Sequence, residues 1–178
     1  MGDRAMTPGP QRKLSMRPML LPTDVPLLAE IFRASVEELT GDDYNEAQQE
    51  AWASAADDLE TFAEKLAGEL TLVAMLGGSV AGFGALADNT RIDMLYVHPV
   101  AARQGAGTML CDALEKLAAA RGTRELSVEA SDSARSFFEK RGFTGKSRNT
   151  VLRSGEWLAN TTMVKLLSAI PATKGRVQ

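Results

Sequence analysis

Asp93-Met94-Leu95-Tyr96-Val97-His98-Pro99, and shortly after it Arg103-Gln104-Gly105-Ala106-Gly107-Thr108, form the most informative stretch of the chain. The first run reads as a strand that Pro99 stops, and the second as a glycine-bearing loop opening a helix from Gly105 to Arg121. Met109, Leu110, Leu114 and Leu117 give that helix an apolar face, with Gly122 as its C-terminal stop. Gly105 and Gly107 place no β-carbon between backbone and ligand. The N–H groups of the first helical turn, helped by the helix dipole, can then close on an anion such as a pyrophosphate. A Gly-x-Gly after a strand also fits a close-packed turn that binds nothing. The sequence lacks both the three-glycine dinucleotide fingerprint and the Gly-Lys-Ser/Thr ending of a nucleotide loop, which favours a phosphate-bearing ligand other than a nicotinamide dinucleotide or ATP.

Working outward towards the N-terminus, Ile92 to Val97 follows a turn at Asp88-Asn89. Before it, Leu72 to Leu76 and Val80 to Leu86 flank Gly77-Gly78 as an antiparallel hairpin. Helices are expected from about Asn45 to Ala53 and from about Asp57 to Leu66. A longer one is capped by Thr23 or Asp24, carries Pro26 in its first turn, and shows Leu27, Leu28, Ile31, Phe32, Val36 and Leu39 at helical spacing. Leu14 to Leu20 reads as the first strand. Towards the C-terminus, Glu125 to Ala130 alternates as a strand, and Ser131 to Arg141 reads as a helix capped by Ser131 or Asp132. Thr144 to Leu152 and Trp157 to Leu166 read as a last hairpin. This order argues for an α/β (α+β) domain with a mixed sheet flanked by helices.

A chain of 178 residues with 44% apolar content is expected to form one domain, from about Leu14 to Ile170. Residues 1–13 read as a disordered leader and 171–178 as a flexible tail. A net charge of -3 gives no basic footprint for nucleic acid. No run is long enough to span a membrane, and the N-terminus lacks the order of a secretory signal. One cysteine, Cys111, and one histidine, His98, supply neither a disulfide nor the usual zinc ligand set, so no metal is expected and a reducing cytoplasm fits best. Whether the chain forms a homodimer is left open.

The run Val97-His98-Pro99 with Ala102-Arg103-Gln104-Gly105-Ala106-Gly107 resembles the phosphate motif of the GCN5-related N-acetyltransferase (GNAT) family, Gln/Arg-x-x-Gly-x-Gly/Ala after a strand ending Val-x-Pro. Ala102 departs from it, so one phosphate contact is lost or passes to Arg103 or Gln104. Phe137-Phe138-Glu139-Lys140-Arg141-Gly142-Phe143 resembles the second signature, Tyr-Glu-Lys-x-Gly-Phe, with Phe138 at the tyrosine position. The resemblance covers about Met16 to Lys165. Asp43-Tyr44, Gln48, Trp52 and the segment Trp157 to Asn160 are similar to small bacterial members of a YafP-like group. The family implies a mostly antiparallel sheet of about seven strands, splayed between the fourth and fifth. It also implies acetyl-coenzyme A as co-substrate, no metal, and an amine acceptor.

By that resemblance Leu95, Tyr96 and Val97 hold the pantetheine arm, with a β-bulge N–H near Leu95 facing the thioester carbonyl, Arg103, Gln104, Gly105, Ala106, Gly107 and Thr108 hold the phosphates, and Ser131 and Phe138 line the same site. Asp93 is the first candidate base because strand parity places it with Leu95 and Val97, and Glu129 is the second. A carboxylate with a pKa of about 4 must be raised, or act through water, to deprotonate an ammonium. His98 follows the strand and reads as a loop or cofactor-edge residue rather than the base. Phe138 has no proton to give, so Tyr44, Tyr96 or Ser131 must protonate the thiolate, unless that group, with a pKa of about 8.5, leaves unaided. Cys111 reads as core, giving direct transfer rather than an acyl-enzyme.

Tyr44, Gln48 and Trp52 fall at i, i+4 and i+8, and with Trp157 they are the candidate acceptor contacts. Packing of Tyr44 and Trp52 in the core, with Gln48 at the rim, is the alternative. Residues 37–69 hold eleven acidic side chains against Lys65 alone, either a solvated face or a field that attracts a cationic amine. Three functions are compatible with these residues: acetylation of a small-molecule primary amine, acetylation of a protein or peptide, and non-catalytic sensing of acyl-coenzyme A.

Overall fold

A computed structural model describes residues 12–168. The leader, apart from residues 12 and 13, and the tail expected from the sequence lie outside them, as do residues 169 and 170 of the expected domain. The strands are β1 (Leu14–Pro18), β2 (Leu70–Leu76), β3 (Ser79–Ala87), β4 (Arg91–Val97), β5 (Glu125–Ser131), β6 (Thr144–Arg153) and β7 (Glu156–Leu166). The helices are α1 (Val25–Leu39), α2 (Glu46–Ala53), α3 (Leu59–Ala67), α4 (Ala106–Ala120) and α5 (Arg135–Lys140). One seven-stranded sheet runs in the order β1-β2-β3-β4-β5-β7-β6, antiparallel throughout except for the parallel pair β4-β5. The mixed, mostly antiparallel sheet and its flanking helices match the expectation from the sequence.

Two apolar layers sandwich the sheet. On one face α4 packs Leu110, Cys111, Leu114 and Ala118 against Ile92, Leu126, Val128 and Met163. On the other, Leu28, Phe32 and Val36 of α1 with Phe62 and Leu66 of α3 cover Val73, Phe83, Ala85 and Met94. The alternation of β4 divides its residues between these layers, Leu95 and Val97 towards α4 and Met94 and Tyr96 towards α1 and α3. Gly82 lets β3 lie close on β4, since a β-carbon there would sit 2.8 Å from the Tyr96 carbonyl oxygen.

Local signals explain most element ends. Asn45 caps α2 through a reciprocal box, its side chain accepting the Gln48 N–H while the Gln48 side chain accepts its own N–H. Gly77 and Gly78 take positive φ of 60° and 85° in the turn between β2 and β3. Asp24 stands at the head of α1 without capping it; its carboxylate instead accepts from Arg17 at 2.6 and 2.9 Å and from the Leu20 N–H at 2.7 Å. The helix expected from Ser131 begins only at Arg135. Ser131 completes β5, and its hydroxyl accepts the Ala134 N–H at 3.1 Å in the intervening turn.

Candidate active site

β4 and β5 pair only through Arg91↔Ser127 and Ile92↔Val128. Beyond that point the strands part, and a cleft of about 510 Å³ opens between Asp93–Val97 and Glu129–Ser131. The parting begins at a bulge. Ala85 faces Met94 and Leu86 faces Ile92, which leaves Asp93 as an extra residue that bends its strand.

Gly105 and Gly107 lie beside this cleft, at the head of α4. Gly105 is left-handed (φ 94°) and no side chain among the described residues caps the helix, so the amides of its first turn keep their donors available. Arg103, Gln104, Gly105 and Thr108 are exposed and Gly107 lines the cleft, an arrangement unlike a turn buried under side chains. A β-carbon on Gly107 would lie 3.7 Å from Val97 Cγ2 and 3.8 Å from Phe137 Cε2, so anything larger must enter the cleft. Ala106 is buried and offers only its backbone. The Gln104 side chain donates to the Val100 carbonyl at 3.0 Å, which occupies it within its own loop. His98 Nδ1 accepts the Val100 N–H at 3.2 Å, a turn-capping position.

Leu95, Tyr96, Val97, Ser131 and Phe138 line the cleft together with Asp93, Glu129, Tyr44 and Trp52. The two carboxylates differ in how they are held. Asp93 does not share the side of Leu95 and Val97, because the bulge breaks the strand parity on which that expectation rested. Its carboxylate meets Lys65 of α3 at 2.6 Å and Arg91 at 3.0 Å. Burial would raise this carboxyl, but the hydrogen bond and charge of Lys65 with the charge of Arg91 outweigh it and hold it below the usual carboxylate range. Glu129 is exposed within the cleft, and among the described residues it has no ion-pair partner.

The two tyrosines also differ. Tyr44 is 5% exposed; its hydroxyl donates to the Ala159 carbonyl at 2.6 Å and accepts the Asp132 N–H at 2.9 Å. Both roles of that oxygen are filled by backbone, so Tyr44 braces the loop before α2 against β7 and the end of β5. The Tyr96 hydroxyl accepts Trp52 Nε1–H at 3.3 Å and donates to no group among the described residues. Burial pushes its phenol up to about 12, so it stays protonated at neutral pH. Cys111 is fully buried and its thiol is pushed up to about 12 by that burial, which leaves no thiolate to carry an acyl group.

On the acceptor side the sequence reading needs correction. Tyr44 precedes α2 rather than lying on it, so the helical face of Tyr44, Gln48 and Trp52 does not form. Gln48 closes the cap of α2 and donates Nε2–H to the Trp157 carbonyl at 2.8 Å, and it lies outside the cleft lining. Trp157 is 59% exposed and is likewise outside it, whereas Leu158, Ala159 and Asn160 beside it line the wall. None of the eleven acidic side chains of residues 37–69 lines the cleft; the charged group this segment contributes is Lys65. Arg153, at the end of β6, is a lining residue that the sequence reading missed. Its one signal is its place before the Ser154-Gly155 turn. No cluster of metal-ligating side chains occurs among the described residues.

Residues 40–167 match the family profile described as an acetyltransferase (GNAT) domain. The chain is 33% identical over 142 residues to the uncharacterized N-acetyltransferase YafP of Escherichia coli (strain K12), covering 80% of this chain and 89% of that protein. A crystal structure of a GCN5-related N-acetyltransferase from Rhodopseudomonas palustris is 57% identical, covers 88% of this chain and 98% of its own, and superposes with a TM-score of 0.86. The PaiA N-acetyltransferase of Thermoplasma acidophilum, solved in complex with coenzyme A, shares the fold at 20% identity, with a TM-score of 0.70 over 86% of this chain and 99% of its own. With the splayed strands and the uncapped glycine turn in place, a family match over most of the chain leaves one assignment: this protein belongs to the GNAT acetyltransferases.

Proposed function

We propose that the chain moves an acetyl group directly from acetyl-coenzyme A to the primary amine of a small molecule. The observation that carries this reading is the uncapped first turn of α4, exposed at Gly105 and opening at Gly107 onto the cleft between β4 and β5. The amides of residues 106–108 hold the diphosphate, with Arg103 supplying charge beside them. The unpaired edge of β4 from Asp93 to Val97 offers backbone groups to the pantetheine arm in the manner of an added strand. PaiA, which shares this fold, was solved in complex with coenzyme A, which supports a coenzyme as the ligand.

Transfer requires a neutral amine, a polarised thioester carbonyl and a route for the proton released by the amine. Glu129 is the base in this proposal, acting directly or through water, because Asp93 is held by two cations. Tyr96 donates its free hydroxyl hydrogen to the departing sulfur, and Phe138 contributes apolar wall where the family carries a tyrosine. The N–C bond forms as the C–S bond breaks; Glu129 takes one proton from the amine, Tyr96 gives one to the sulfur, and solvent carries the Glu129 proton back to Tyr96, so that amine and thioester become amide and thiol. Closure of the far end supports a small acceptor over a polypeptide. There the Tyr44 brace joins Ser133 Oγ donating to Asp43 at 2.7 Å and a 3.1 Å contact between the Ser54 and Ser154 hydroxyls. A cytoplasmic setting belongs to the same proposal, since Cys111 is buried and unpaired.

Thiol release, followed with a chromogenic reagent and checked by mass spectrometry of the acetylated product, tests the transfer. Release that depends on both acetyl-coenzyme A and an amine is expected. Saturable coenzyme binding with no amine-dependent release across a broad panel would overturn transfer in favour of a sensor.

A further inference from the structure

Among the described residues, five charged side chains line the cleft: Lys65, Arg91 and Arg153 against Asp93 and Glu129. Lys65 and Arg91 both close on Asp93, at 2.6 and 3.0 Å, and Lys65 also meets Glu69 at 3.3 Å, so three of the five are already paired. That leaves Arg153 and Glu129, neither of which has an ion-pair partner among the described residues. Arg153 ends β6 and is carried by the Ser154-Gly155 turn, which the Ser54–Ser154 hydroxyl contact ties to the segment after α2. In strand register Arg153 pairs with Glu156 of β7, close to the wall of Leu158, Ala159 and Asn160, and the turn after it meets the segment after α2, which places it at the acceptor end rather than at the phosphate turn. The acidic wall that would suit a purely cationic amine faces elsewhere.

We propose that Arg153 is the anion anchor of the acceptor subsite, so that the acceptor is an amino carboxylate of free amino-acid type, its carboxylate on Arg153 and its amine towards Glu129. This rests on the transferase reading above. A guanidinium suits the task because its planar fork takes a carboxylate through two parallel bonds. The two unpaired charges of the cleft, one of each sign, match a zwitterion, whereas a simple alkylamine leaves Arg153 unanswered and an anion without an amine leaves Glu129 so.

The test compares the common L-amino acids with their carboxamides as acceptors, in the full-length chain, by thiol release at saturating acetyl-coenzyme A. The carboxamides have the less basic amine, so a preference for the acids cannot come from the fraction of free amine. Wild type is expected to favour at least one acid over its amide. Arg153→Gln should lower the acid-to-amide ratio of kcat/KM roughly 10- to 100-fold, mainly through KM, with Arg153→Lys restoring part of it. Calorimetric affinity for acetyl-coenzyme A and the unfolding temperature, measured on the same samples, should not move. Equal use of acids and amides by wild type, acetylation of none of the acids although the coenzyme binds, or an unchanged ratio in Arg153→Gln each overturns the anchor. Failure of wild type to bind acetyl-coenzyme A would instead overturn the transferase reading beneath it.

Discussion

Replacing Tyr44 with phenylalanine separates a brace from a catalytic acid. The ring remains, with its edge-on contact to Trp52 at 5.3 Å, and only the hydroxyl is lost. Two bonds go with it, to the Ala159 carbonyl at 2.6 Å and from the Asp132 N–H at 2.9 Å, leaving two backbone groups without a partner. Each such bond contributes about 1 kcal/mol, so Tyr44→Phe should lose about 2 kcal/mol. For a chain of this length that corresponds to a fall in Tm of about 4–8 °C. Tyr96→Phe forfeits only one long bond from Trp52 and should lose less than about 1 kcal/mol. Kinetics should rank the two variants the other way. If Tyr96 supplies the proton, its removal should lower kcat roughly 10- to 100-fold, while Tyr44→Phe, assayed well below its Tm, keeps most of its kcat. Thermal unfolding beside steady-state thiol release reads both. An unchanged Tm with a collapsed kcat in Tyr44→Phe would refute the brace and make Tyr44 the acid.

Glu129→Gln should reduce kcat on the order of 100-fold with coenzyme affinity unchanged in calorimetry, and a wild-type rate would remove Glu129 as base. Gly82→Ala should destabilise by about 1–3 kcal/mol in urea unfolding, because its β-carbon would meet the Tyr96 carbonyl at 2.8 Å; an unshifted midpoint would show that β3 and β4 can separate there. Asp24 is held below the usual carboxylate range by its bond from Arg17 above all. Its contribution is therefore present above the unfolded value of about 3.9 and is lost as pH falls through the lower folded value. Asp24→Asn should lower stability at pH 7 and flatten the loss of stability in acid, and parallel pH curves for the two proteins would refute that.

The elements were legible in the sequence because their signals are local. Gly77-Gly78 sets a turn, the stretch from Asn45 to Ala53 a helix, and the spacing of Leu110 and Leu114 a buried helix face, each decided within a few residues. The glycine turn at the head of α4 was legible for the same reason. The acceptor end was not. One bulged residue moved Asp93 off the side of Leu95 and into the reach of Lys65, and strand parity carries no mark of such an insertion. Gln48 was drawn into its own cap and towards Trp157, and the acidic surface of residues 37–69 turned away from the cleft. The first outcome depends on how α2 meets β7, a contact more than a hundred residues apart in the chain.

Calorimetric titration of acetyl-coenzyme A into the wild-type chain and into Gly107→Trp reads the grip of the α4 turn most directly. Wild type should show saturable binding at one site per chain and a raised unfolding temperature. The indole of the variant, having no room between Val97 and Phe137, should fill the cleft and weaken binding about tenfold or more in a protein that still unfolds cooperatively. Equal affinity of the two folded proteins, or no binding to wild type, would contradict the assignment of the phosphates to this turn.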